Sequence, residues 1–135
     1  IADKGLGLMH TGTRDWTDYA VSANVVARLC DSIGIAVRYQ GLRRYVAVLF
    51  RPMAGKLELI ARRDQQQEVL ASADVDWQLN DFHALRIEVT GNRARASADG
   101  EELLKGDIPG PPCGGIALLV DTGSGGFTRV KVEAV

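Results

Sequence analysis

Apolar and polar positions alternate with a period of two along most of the chain, the signature of half-buried strands, and no helical period is sustained. Over 19–29, Tyr19, Val21, Ala23, Val25, Ala27 and Leu29 fall on one side. Over 33–40, Ile33, Ile35, Val37 and Tyr39 share a face, with Gly34, Ala36, Arg38 and Gln40 on the other. Over 44–51, Val46, Val48 and Phe50 are expected inward, with Tyr45, Ala47, Leu49 and Arg51 outward. Over 56–62, Leu57, Leu59 and Ala61 oppose Lys56, Glu58, Ile60 and Arg62. The connections "QGLR" and "RPMAG" are of hairpin length, so the last three runs form an antiparallel meander.

Residues 64–72 read two ways. Asp64 and Gln67 have capping-box spacing, but Val69, Leu70 and Ala71 are too few for an amphipathic helix. A strand over 67–72 is expected, with a helical turn as the alternative. Leu85, Ile87 and Val89 then alternate over 83–90, and "TGN" marks a hairpin because Gly and Asn tolerate positive φ. Runs at 93–98 and 101–105 flank "DG", "KGDIPGPPCGG" is a loop, and "GIALLVD" and "GFTRVKVEAV" are two further strands. Ten or eleven short strands with regular turns predict an all-β sandwich or barrel. No repeat and no internal linker appears, so 1–135 reads as a single β-sandwich domain. The opening "IADKGLG" lacks Met, which predicts a domain excised from a longer chain.

Composition narrows the class. The 135 residues suffice for one core, and 46% hydrophobic content with a net charge of -1 fits a globular domain. No apolar run reaches the roughly 20 residues that span a bilayer, so no membrane partner is expected. Cys30 and Cys113 are far apart and outside any CxxC, which suits two thiols in a cytoplasmic protein, with a disulfide as the alternative. Charge is uneven. Residues 38–63 hold seven basic residues and one acid, Glu58, while the remainder is acidic. That acidic remainder repels a long polyanion, so nucleic acid is not an expected partner.

Candidate chemistry is sparse. His83 shares the parity of Leu85 and Ile87, which suits a hydrogen-bonded structural imidazole; His10 is the other histidine. Ser124 lies between strands rather than in a nucleophile elbow, and "GLGLMHTG" has the wrong spacing for a dinucleotide fingerprint. Glu58 has no second acid on its strand, and Glu101 and Glu102 sit in a hairpin, so no glycosidase pair is visible. No metal cofactor is expected. Calcium is the one ion considered: Asp15, Asp18, Asp99, Asp107 and Asp121 lie near loops without a DxDxDG array, and Asp121 is the best single candidate.

The outward side of the meander carries more interest. Gly34, Ala36 and Ala47 leave floor space between Arg38, Gln40, Tyr45, Arg51, Glu58 and Arg62. Those six are the expected ligand-binding residues, by stacking, hydrogen bonding or bidentate arginine contacts. The same pattern also suits a solvated sheet face, or a docking surface marked by outward Leu49 and Ile60. Trp16 and Trp77 are either sugar-stacking platforms or plugs closing the core.

The runs "DYAVSANV", "GIAVRYQGLRRYVAVLF", "GKLELIARR" and "FHALRIEVTGNRARASADGEELL" resemble the concanavalin A-like lectin/glucanase superfamily across nearly the whole chain. The resemblance implies a two-sheet antiparallel jelly roll with the meander on its concave sheet. "GLGLMHTGTRDWTDYAVSA" with "GLRRYVAVLF" resembles a C-terminal accessory domain of bacterial ADP-ribosylglycohydrolase-like proteins. The catalytic acids of that family belong to a separate helical domain, and the E-x-D-x-x-E strand of the glucanases is absent here. The expectation is a non-catalytic accessory domain of a larger hydrolase. It would recognise a carbohydrate or an ADP-ribose-like ligand, stacked on Tyr45 and met by Arg38, Arg51 and Arg62. A docking module for the catalytic domain of the parent chain, or a glycoside hydrolase-like enzyme, are the alternatives.

Overall fold

The computed structural model describes residues 6–11, 18–40, 44–108, 114–121 and 123–134, and within them the alternating runs become eleven strands. They are β1 (Leu6–Thr11), β2 (Tyr19–Ala27), β3 (Ser32–Tyr39), β4 (Arg44–Arg51), β5 (Lys56–Arg63), β6 (Gln66–Asp74), β7 (Phe82–Thr90), β8 (Arg93–Ala98), β9 (Glu101–Asp107), β10 (Gly115–Asp121) and β11 (Gly125–Ala134). A six-stranded sheet runs β1-β10-β3-β4-β5-β6 and a five-stranded sheet runs β11-β2-β7-β8-β9. Every pairing is antiparallel. Residues 67–72 are strand, as expected, and β6 starts one residue earlier and ends two later than the sequence pattern suggested.

The core forms because side chains at every second position of each sheet meet those of the other. Val21, Val25, Leu85, Ile87 and Val89 come from the five-stranded sheet; Ile33, Ile35, Val48, Phe50, Leu57 and Leu59 come from the six-stranded one. Each of these eleven is at most 2% exposed. Trp77, in the β6–β7 connection, packs on this core with its ring 4.9 Å from that of Phe50. It is a plug at the margin of the core, which favours the second of its two readings.

The meander departs from strict alternation at one residue. Arg38 has φ 49°, and between β3 and β10 the register slips, with Ala36 opposite Ala117 but Tyr39 opposite Gly115. The extra residue turns the strand, so Arg38 and Tyr39 exchange the faces that simple parity assigns them. Three contacts hold the bulge. The Tyr19 hydroxyl accepts the Arg38 amide N–H at 2.6 Å and lies 2.9 Å from both the Gly114 and Gly115 carbonyls, to which it donates. Gly114 has φ 152°, and a side chain there would run into the Arg38 backbone. The Arg38 guanidinium reaches the β7–β8 turn, donating to the Gly91 carbonyl at 2.6 Å, and lies 3.5 Å from Asp18.

Candidate functional site

The outer face of the six-stranded sheet has a continuous small-residue row. The register places Ala117, Ala36, Ala47 and Ile60 side by side across β10, β3, β4 and β5. The next row is Leu119, Gly34, Leu49 and Glu58. A side chain at Gly34 would collide with the Val48 backbone, so glycine is required for β3 and β4 to approach. Ala36, Ala47, Ile60 and Ala117 with Leu49, Leu119 and Tyr45 form a second apolar cluster, distinct from the core between the sheets. Leu49 is 5% exposed and Ile60 0%, so the outward apolar residues that suggested docking are already shielded.

Polar groups surround that cluster. Tyr45 lies opposite Arg62 on β5, and Arg62 lies opposite Gln67 on β6. Arg51 donates through Nε to the Glu58 carboxylate, with the two side chains 29% and 17% exposed. The Arg62 Nε atom is shielded from solvent and has no hydrogen-bond partner among the described residues. Such a donor costs stability until an acceptor is supplied. Burial pushes the Tyr45 phenol above its ordinary value, with the nearby Arg62 cation opposing part of the rise. Burial also raises the Tyr39 phenol.

Two expected ligand contacts are corrected. Arg38 is 4% exposed and its guanidinium is committed to Gly91 and Asp18, because the bulge turns it away from the outer face. Tyr45 is 7% exposed, so its ring is no open stacking platform; it faces the Tyr39 ring at a centroid distance of 6.0 Å. Tyr39, assigned to the core by parity, instead packs on the outer cluster and is the more accessible tyrosine of the pair. No local signal marks it, since the residue in the left-handed conformation is an arginine rather than a glycine. Arg51 and Glu58 pair on the outer face, Arg62 lies on the same face four residues further along β5 and opposite Tyr45, and Gln40 is exposed beyond the end of β3.

The remaining candidates take structural places. His83 Nδ1 donates to Asp99 at 2.9 Å, and its ring stacks on Trp77 at 4.2 Å with an interplanar angle of 2°. The other Asp99 oxygen accepts the Ala84 amide at 2.9 Å. Glu58 has Arg51 beside it rather than an acid. Asp121 ends β10 between Leu6 and Ser32, and its carbonyl accepts the Asp31 amide. Among the described residues no group of three or more His, Cys, Asp or Glu side chains is placed to hold a metal ion. No helix among them is long and apolar enough to cross a membrane. Cys30 is free and buried, and desolvation raises its thiol above the ordinary value. Asp15, Trp16, Arg43 and Cys113 lie outside the described residues, as does the side chain of His10.

No family model and no curated protein sequence matches the chain. Solved structures do. The carbohydrate binding module CBM66 from Bacillus subtilis superposes with a TM-score of 0.90 at 12% identity, covering 98% of this chain and 84% of that one. Galectin LEC-6 of Caenorhabditis elegans gives 0.73 at 9%, covering 98% and 99%. Galectin-Va of Xenopus laevis gives 0.74 at 9%, covering 97% and 98%. At these identities the likeness is one of fold, and it confirms the antiparallel jelly-roll sandwich of the concanavalin A-like kind.

Proposed function

We propose that this domain binds a neutral carbohydrate on the outer face of its six-stranded sheet, through Arg62, Arg51, Glu58 and Tyr39. The observation that carries the reading is the shielded, unpartnered Nε of Arg62, on the face that also carries the Arg51–Glu58 pair. A sugar hydroxyl both donates and accepts, so hydroxyls spread along an oligosaccharide satisfy a guanidinium N–H at one point of the face and a carboxylate oxygen at another. Tyr39 supplies a half-buried ring stacked on Tyr45, the residue opposite Arg62. The names of the similar structures, a carbohydrate binding module and galectins, support the same ligand class. The domain acts by binding rather than by catalysis. Its place as an accessory piece of a hydrolase, with an ADP-ribose-like ligand, rests on the sequence resemblance alone.

Calorimetric titration with neutral gluco-, galacto- and fructo-oligosaccharides and with ADP-ribose tests the proposal. Heat with one neutral series, weakened in Arg62→Ala, is the expected result. Heat only with ADP-ribose would move the ligand class to a phosphate. Silence with every compound would overturn the reading.

A further inference from the structure

The β5–β6 hairpin carries a concavity of about 450 Å³, lined by Ala61, Arg63, Gln66, Gln67 and Glu68. Its position follows from the register. Glu68 lies opposite Ala61 and Gln66 opposite Arg63, so these four share the side of the sheet that elsewhere faces the core. Next to them Leu59 and Leu70 pack at Gly106 of β9, where an added methyl group would stand 3.1 Å from Leu70. Beyond that contact the hairpin presents alanine and polar residues instead of large apolar ones. There Arg63, Gln66, Gln67 and Glu68 are exposed, with Ala61 buried at the margin of the core.

The polar groups of this concavity are unengaged. Arg38, Arg44, Arg51, Arg86, Arg93 and Arg95 each form an ion pair. The side chains of Arg63, Gln66, Gln67 and Glu68 make no ion pair or hydrogen bond among the described residues, although Arg63 and Glu68 stand on adjacent strands. One guanidinium, one carboxylate and two carboxamides surround a small apolar floor. An anionic ligand meets repulsion from Glu68, and an apolar ligand finds only Ala61. A neutral polyhydroxylated ring satisfies all four. The volume lies within the ~300–1,000 Å³ usual for small-molecule sites.

We infer that this concavity is a second subsite for a neutral sugar, separate from the outer face and joined to it over the edge strand β6 by Gln67, which lies opposite Arg62. The ligand class rests on the carbohydrate reading above; the location does not. An oligosaccharide long enough to cross β6 then binds more tightly than a monosaccharide.

The test is a ¹⁵N-detected titration with neutral tetrasaccharides of gluco-, galacto- and fructo-configuration, following the Gln66 side-chain amide and the Arg63 and Arg62 Nε–H signals. Glu68→Ala and Arg63→Ala are surface changes, and a thermal melt verifies that each variant is folded. The expected result is movement of Gln66 and Arg63, with roughly tenfold weaker tetrasaccharide binding in each variant, the scale of one charged hydrogen bond. Movement at Arg62 without movement at Gln66 overturns the subsite and leaves the outer-face reading standing. Movement at Gln66 alone supports the subsite and removes the outer-face reading. Stillness at all of them overturns both.

Discussion

The Nη1 atom of Arg38 donates to the Gly91 carbonyl at 2.6 Å, so a side chain rooted in one sheet ends on a turn of the other. Asp18 accepts the Gly91 amide at 3.0 Å and lies 3.5 Å from the same guanidinium. Arg38→Ala takes this donor from the Gly91 carbonyl and the ion pair from Asp18, which keeps the Gly91 amide. We expect a loss of about 2–4 kcal/mol in urea unfolding with glycan affinity unchanged. A variant of wild-type stability that binds tenfold more weakly would return Arg38 to the ligand site.

Tyr19→Phe removes one hydroxyl that serves Arg38, Gly114 and Gly115. The buried Arg38 amide then loses this acceptor, at a cost of about 1–3 kcal/mol. Faster hydrogen exchange confined to the Arg38 amide and its neighbours would show that the bulge itself has loosened; uniform exchange would not.

Arg62→Ala deletes the unpartnered donor without breaking any ion pair among the described residues. Stability stays within about 0.5 kcal/mol, or rises, while oligosaccharide affinity falls at least about tenfold. Parallel melting and titration separate the two effects, and equal affinity in wild type and variant would count against the outer-face site.

Tyr45 couples the site to alkaline pH. Its phenol is raised by burial from the ordinary value of 10.0, so the folded state holds the proton more tightly than the unfolded one. That contribution is fully present below pH ~10 and is lost as pH rises through the folded value. Tyr45→Phe keeps the ring and removes the ionisation. Its unfolding free energy is expected to fall less steeply above pH 10 than the wild type, read by chemical denaturation at stepped pH.

Trp77→Ala tests the plug. Trp77 covers Phe50 and stacks on His83, so its loss opens the margin of the core at a cost of about 3–5 kcal/mol. Oligosaccharide binding by the folded fraction is expected to be unchanged, because the ring lies away from the outer face.

Most of the fold was legible because antiparallel strands write their burial into every second residue. Val46, Val48, Phe50, Leu57 and Leu59 needed no more than that rule. The rule failed at Arg38 and Tyr39, where the face is set by Tyr19, Asp18 and Gly91, residues distant in sequence. Asp64 shows a smaller version. Its spacing to Gln67 suggested a cap, but φ 55° makes it the left-handed residue of a tight hairpin, paired with Arg44. Of the six expected ligand contacts, Arg51, Glu58 and Arg62 follow from parity alone. That Tyr45 is covered, and that Arg63 and Glu68 surround a concavity, depends on tertiary packing, which no local pattern records.

The sheet order has a consequence for how the chain reaches this state. Both partners of β2 come later in sequence, β7 and β11, and β3 to β6 belong to the opposite sheet. At about 5–20 residues per second of synthesis, β2 waits on the order of 3–10 s for the first of them. Throughout that interval Val21, Val25 and Val26 lie on a strand with no neighbour, a template for pairing with another chain. Folding of this domain is therefore paced by non-local closure, in the millisecond-to-second class of β-sandwiches, and its vulnerable species is a nascent chain ending before Phe82.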